Sequence, residues 1–199
     1  MRFAVLLLPL VMALSAPAGA RAQGAPTDRE YAVWSDLLEA YIGGMAVDRI
    51  VVADTTVQGD PRRGEGPFEQ RARPRRRVDP LPAELLQSFA EANATRWPLE
   101  PGRLKTFTPL QRVSEAGPRN LPADDDRRAW ANLRNAGYPG SAGIASLSRV
   151  GFSADGRTAL VYLELYAGPR YGMEIYFLMR QLDNGRWLMN GLYITRNQS

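Results

Sequence analysis

The spacing of apolar positions changes from helical to strand-like along this chain of 199 residues. Tyr31, Trp34, Leu37, Leu38, Tyr41 and Ile42 recur at three- and four-residue intervals. That spacing predicts an amphipathic helix from about Asp28 to Tyr41 or Ile42, with Thr27 or Asp28 as its cap and Gly43-Gly44 as its stop. Arg49–Val57 is rich in β-branched residues and predicts a strand. Leu81–Thr95 reads as a second helix, with Leu85, Leu86, Phe89 and Trp97 as its apolar side. Leu110–Glu115 fits a short strand. Asp124, Asp125 and Asp126 suit the positive end of a third, short helix reaching about Asn135, with Trp130 and Leu133 as its contacts.

From Ile144 onward the period is two. Four strands are expected, at about Ile144–Phe152, Thr158–Tyr166, Met173–Leu182 and Trp187–Thr195. Asp155-Gly156 and Asn184-Gly185 are tight-hairpin signals, and Ala167–Gly172 is a longer connection. Helices followed by consecutive hairpins predict the α+β class. The expected architecture is three helices packed on a four- to five-stranded antiparallel sheet that ends in a meander. Parity puts Ala159, Val161, Leu163 and Leu165 on one side of the sheet and Leu160, Tyr162, Glu164 and Tyr166 on the other. The tyrosine-bearing side either lines a pocket or is amphipathic packing with its hydroxyls at the rim.

The first residues belong to neither pattern. Arg2 precedes an apolar run from Phe3 to Leu14, Pro17 and Gly19 follow, and Ala20-Arg21-Ala22 places small residues where a signal peptidase reads them. The run is too short to span a bilayer and matches a cleavable secretory leader over residues 1–22. Residues 23–199 then form one α+β domain that is expected to be periplasmic or secreted. No later segment reads as membrane-spanning.

Composition narrows the chemistry. The chain has no Cys and no His. Disulfides, lipidation, thiolate nucleophiles, the Ser-His-Asp triad and the common zinc ligands are therefore excluded, and no cofactor or metal is expected. The formal net charge is +4 and falls to +2 once Arg2 and Arg21 leave with the leader; every basic residue except Lys105 is arginine. Seven arginines, Arg62 to Arg77, lie in the proline-rich and apolar-poor stretch 58–80, which predicts a mobile basic loop. Its charge would suit an anionic partner at 62–77. Phe68 is the one aromatic residue within it, so no nucleic-acid surface is expected.

Tyr138-Pro-Gly-Ser-Ala-Gly-Ile-Ala-Ser-Leu-Ser-Arg-Val-Gly-Phe152, followed by Asp155-Gly156, Ala159-Leu-Val-Tyr162 and Gly185-Arg186-Trp187, resembles a family of exported bacterial proteins without assigned function. The resemblance covers roughly Leu81 to the C-terminus, more weakly Ile50–Thr55, and implies no activity. Tyr166–Gly172 is poorer in Gly than the segment the family carries there. The closing strands are also similar to those of cystatin-like and nuclear-transport-factor-like cones, a likeness of fold that carries no function.

Specific candidates are few. Gly140-Ser141-Ala142-Gly143 lacks the spacing of a nucleophile elbow and has no His to activate Ser141, so a turn explains it better. No Ser-x-x-Lys pattern precedes Lys105. Carboxylates are the remaining acid/base option, with Asp54, Glu115, Asp155 and Glu164 in or beside predicted strands. Arg149 is the lone charge in Leu147–Phe152 and is expected to pair with Glu164 on the adjacent strand. Arg149, Tyr162, Glu164 and Tyr166 are the candidate ligand-binding residues, and no residue is assigned as catalytic. The resulting expectation is a non-catalytic ligand- or partner-binding module of the bacterial envelope, with a small carboxylate-dependent hydrolase or isomerase as the alternative.

Overall fold

A computed structural model describes residues 24–59, 81–114, 138–168 and 171–198. The expected leader, the Arg-rich stretch from residue 60, Glu115 and the expected helix at 124–135 lie outside them. The described residues contain two α-helices, α1 (Asp28–Tyr41) and α2 (Ala83–Ala92), and seven strands: β1 (Ile50–Ala53), β2 (Leu110–Val113), β3 (Ile144–Leu147), β4 (Gly151–Phe152), β5 (Thr158–Gly168), β6 (Tyr171–Gln181) and β7 (Trp187–Gln198). The fold is α+β with an open sheet in the order β2-β1-β3-β5-β6-β7, and β4 pairs with β5. No helix among the described residues is long and apolar enough to cross a membrane.

Sequence and local chemistry agree at α1. Thr27 Oγ1 accepts from the Glu30 backbone N–H at 3.3 Å, and the Glu30 carboxylate accepts from the Thr27 N–H at 2.8 Å. This reciprocal capping box satisfies two donors that the first turn would otherwise leave open. A helix of 14 residues is marginal by itself in water, so its packing decides. Trp34, Leu37 and Leu38 are fully buried against Ala159, Val161, Leu163, Ile175 and Phe177 of the sheet. Each such side chain contributes about 1.5–3 kcal/mol relative to exposure.

Helix α2 covers part of the opposite face. Leu85 and Phe89 pack on Leu160, Tyr162 and Tyr176, with Val57 and Leu81 closing the cluster. The sheet is therefore a middle layer with a helix on each side, rather than a sheet covered on one face.

Two further expectations are corrected. The sheet is mixed, not purely antiparallel, because β1 runs parallel to both β2 and β3. No hairpin constrains β1: the chain passes through α2 before it reaches β2, and such a long connection is what parallel pairing requires. The strand expected over 144–152 is broken. β3 pairs Leu147 with Leu163 while β4 pairs Gly151 with Leu160, so four steps on one strand face three on the other. The extra residue is a bulge at Ser148–Val150.

The Gly turns fall where the sequence places them, but neither is a two-residue hairpin. Gly156 donates to the Ser153 carbonyl and Gly185 to the Leu182 carbonyl, at 2.8 and 2.9 Å. Each glycine is the fourth residue of its turn and takes φ near +71° or +83°. This is how three- and four-residue loops re-enter a strand. Asp155 serves the first turn: its carboxylate accepts from the Ser153 hydroxyl and the Arg157 N–H, which hold its pKa below the usual carboxylate value.

Candidate functional site

The bulge between β3 and β4 carries Arg149, and both helices are fastened to it. Arg149 is buried and does not pair with Glu164. Its Nε donates to Glu30 Oε1 at 2.6 Å and its Nη2 to Glu30 Oε2 at 2.9 Å, a bidentate fork between two buried side chains. Its Nη1 donates to the Gly24 carbonyl at 3.1 Å. Asn93, at the end of α2, reads the same bulge by backbone: it accepts from the Arg149 N–H at 2.8 Å and donates to the Arg149 carbonyl at 3.1 Å. Trp34 of α1 donates to the Ser148 carbonyl at 3.0 Å. Ser148 Oγ in turn accepts from the Tyr162 N–H at 2.8 Å and donates to the Arg149 carbonyl at 2.7 Å. These contacts satisfy the backbone groups that a bulge removes from the sheet ladder. The Ser-Arg-Val-Gly-Phe motif is thus the joint of the three layers, and Arg149 leaves the candidate binding set. Gly151 completes the joint, since a Cβ there would come within 2.5 Å of the Phe89 backbone.

The other three candidates, Tyr162, Glu164 and Tyr166, share the α2 side of β5, but their surroundings differ. Tyr162 is buried under α2. Its ring lies 4.9 Å from that of Tyr176, and the chain at Gly59 passes so closely that a Cβ there would come within 2.9 Å of the Tyr162 ring. Tyr166 is half-buried and packs on a separate apolar cluster of Val51, Ala53, Val113 and Ile144, joined by Tyr138. Glu164 is half-buried on the strand between them.

Strand register supplies the residues that sequence reasoning missed. Glu164 faces Ser146 on β3 and Glu174 on β6. Directly opposed residues in an antiparallel pair have Cβ atoms about 4.5–5.5 Å apart, so two carboxylates stand side by side in one stripe. Burial foremost, and then the charges of Glu174 and Glu164, hold the Tyr162 hydroxyl protonated far above its ordinary range. The stripe Ser146, Glu164 and Glu174, edged by Tyr162 and Tyr166, is the polar interval between two apolar clusters. It can accept hydrogen bonds and attract positive charge. Glu174 was legible as a charge within a predicted strand, but its position opposite Glu164 depends on a register that the Ala167–Gly172 connection does not reveal.

The remaining candidates have structural work. Ser141 is buried and its hydroxyl donates to the Tyr138 carbonyl at 2.8 Å, as a turn cap does. In the same turn Gly140 takes φ +76° beside the Asp48 carboxylate. Asp54, at the end of β1, pairs with Arg112 at 3.1 Å. Among the described residues no group of three or more acidic side chains is placed to hold a metal ion. Comparison with protein-family models, curated proteins and solved structures finds no match to this chain.

Proposed function

We propose that the chain is an exported protein of the bacterial envelope that acts by binding, with the Glu164–Glu174 stripe as its recognition surface and a cation-bearing ligand or peptide as its target. The observation that carries this reading is the register that sets the two glutamates against each other. Two carboxylates set side by side concentrate negative charge on one stretch of the sheet. A guanidinium or ammonium group is the chemistry that such an acidic stripe suits, and Ser146, Tyr162 and Tyr166 supply polar and aromatic surroundings. The likeness to cystatin-like and nuclear-transport-factor-like cones rests on the closing strands β5–β7 and adds no ligand.

Calorimetric titration with spermidine, choline and an arginine-rich peptide tests the proposal. Glu164→Gln and Glu174→Gln are each expected to weaken the best of these by about tenfold, the scale of one charge-assisted hydrogen bond. Absence of binding for all three probes, or equal affinity in both variants, would refute it. The Arg-rich stretch 62–77 is proposed separately as a contact for an anionic partner; a deletion of 62–77 that leaves envelope association unchanged would remove that contact from consideration.

One observation supports a second reading. Two carboxyl groups about 5–5.5 Å apart are what a retaining glycosidase uses, and opposed residues on β5 and β6, with Cβ atoms about 4.5–5.5 Å apart, can bring their carboxyl groups to that separation. A glycoside screen in which any turnover survives Glu164→Gln and Glu174→Gln unchanged would rule the pair out as catalysts.

A further inference from the structure

The two edges of the sheet are built differently. At one edge, β2 has four residues and carries Arg112, which is exposed and paired to Asp54. A short, charged strand is how proteins keep an edge from pairing with another chain. At the other edge, β7 has 12 residues and ends the strand order. From Trp187 to Thr195 it has neither a charge nor a proline. Leu188 and Leu192 are 47% and 44% exposed, two of the four large apolar side chains exposed among the described residues. Only one side of β7 is paired within the sheet, to β6. Asp36 of α1 accepts from the Trp187 N–H at 2.6 Å, so the row of outward N–H and C=O groups that another strand could match begins beyond Trp187. Extra residues at Asn190 and Thr195 interrupt the register with β6, while Gly191–Ile194 stay in regular register with Leu178–Ile175. That leaves a straight, uncharged segment at the centre of the outer edge.

We propose that β7 is a homodimer interface, in which two copies of the chain pair antiparallel along β7 and continue the sheet across a two-fold axis. A second copy is favoured over a foreign strand because antiparallel edge pairing about a two-fold axis sets the same uncharged run against itself, with no charge to complement. The outer leucines, one toward each face of the sheet by register, then lose their exposure together.

Sedimentation velocity and light scattering from about 1 to 100 μM provide the test. The parent chain is expected to be dimeric at the upper end of that range. Leu188→Lys combined with Leu192→Lys is expected to be monomeric throughout, with unchanged circular dichroism. Both side chains are half exposed, so folding should survive the change. The absence of native cysteine allows an independent check: single cysteines placed at positions 188, 190, 191 and 192 in turn should yield an intermolecular disulfide at one or more of them. Gly191→Cys is sterically open, the nearest atom to its added Cβ being Leu178 Cβ at 3.9 Å. A parent that stays monomeric at 100 μM, a dimer that persists in the double lysine variant, or failure of all four cysteines to cross-link would each overturn the proposal.

Discussion

Replacing Arg149 by Met tests whether the bulge is the joint of the fold. The variant keeps most of the side-chain volume and removes the bidentate fork to Glu30 together with the bond to the Gly24 carbonyl. Glu30 would remain 3% exposed, with only the Thr27 N–H and hydroxyl and the Val150 N–H as donors, at 2.8, 3.2 and 3.3 Å. Breaking a buried pair by removing one partner costs about 3–5 kcal/mol, because the surviving charge stays buried. Single domains are stable by about 5–15 kcal/mol, so the loss is a large part of the total. At this chain length it lowers the melting temperature by about 6–20 °C. Urea unfolding at pH 7, followed by the fluorescence of the four tryptophans, measures it. Adding Glu30→Leu to Arg149→Met removes the stranded charge, and the double variant is expected to recover part of the loss, with a coupling of about 2–3 kcal/mol. Recovery stays incomplete because Leu cannot complete the capping box with Thr27. Glu164→Gln should instead add to Arg149→Met within about 0.5 kcal/mol, as expected for sites that share no partner. An Arg149→Met variant within 1 kcal/mol of the parent, or a coupling of Arg149 to Glu164 larger than its coupling to Glu30, would refute the assignment.

Three further outcomes are expected. Gly151→Ala forces a methyl group against the Phe89 backbone at 2.5 Å, so α2 must lift from β4; overpacking of this kind costs about 1–3 kcal/mol, and a melting temperature unchanged by the substitution would contradict it. Tyr162 keeps its proton in the folded state above the value of 10.0 that it has when exposed; its contribution is therefore complete below about pH 10 and is lost as pH rises beyond that. The urea midpoint should fall between pH 10 and 11, and Tyr162→Phe should flatten the fall, leaving the smaller contribution of Tyr41, whose pKa burial also raises. Expression in a bacterial host with N-terminal sequencing of the exported protein should give Gln23 as the first residue; a cytoplasmic, uncleaved product would contradict export.

The legible parts of the fold are those set by short-range chemistry. The helical spacing from Tyr31 to Ile42, with Thr27 before it, locates α1 to within a residue, because cap, apolar face and stop all lie within the same stretch. The meander β5-β6-β7 follows from period-two runs and positive-φ glycines at Gly156 and Gly185. The parallel placement of β1 was not legible, because nothing local to Ile50–Ala53 encodes which strands it meets. The Arg149 partner was misread for the same reason. Its place as a lone charge on the adjacent strand suggested Glu164, but one inserted residue between β3 and β4 displaces Arg149 from the ladder and brings it to Glu30, 119 positions away. An unbroken strand would have set Arg149 opposite Val161, on the other face from Glu164, so adjacency alone could not locate the partner.

The same bulge explains how one strand pair can serve both stability and the proposed recognition. It ends β3 at Leu147, so the carboxylate stripe lies on its N-terminal side, where Ser146 faces Glu164 and Glu164 faces Glu174. On its other side α2 closes over Gly151 and Phe152, and Asn93 fixes the helix end to the bulge backbone. Helix α2 therefore covers Leu160, Tyr162 and Tyr176, whereas Glu164, two residues further along β5, lies outside that cluster. A charged stripe on a sheet with a helix on each face needs such a boundary: without it, α2 would cover the glutamates as well and their desolvation would count against folding. The boundary separates the two predictions. Loss of Arg149 should lower stability through the joint, whereas loss of Glu164 or Glu174 should change cation binding while leaving unfolding nearly as it is in the parent.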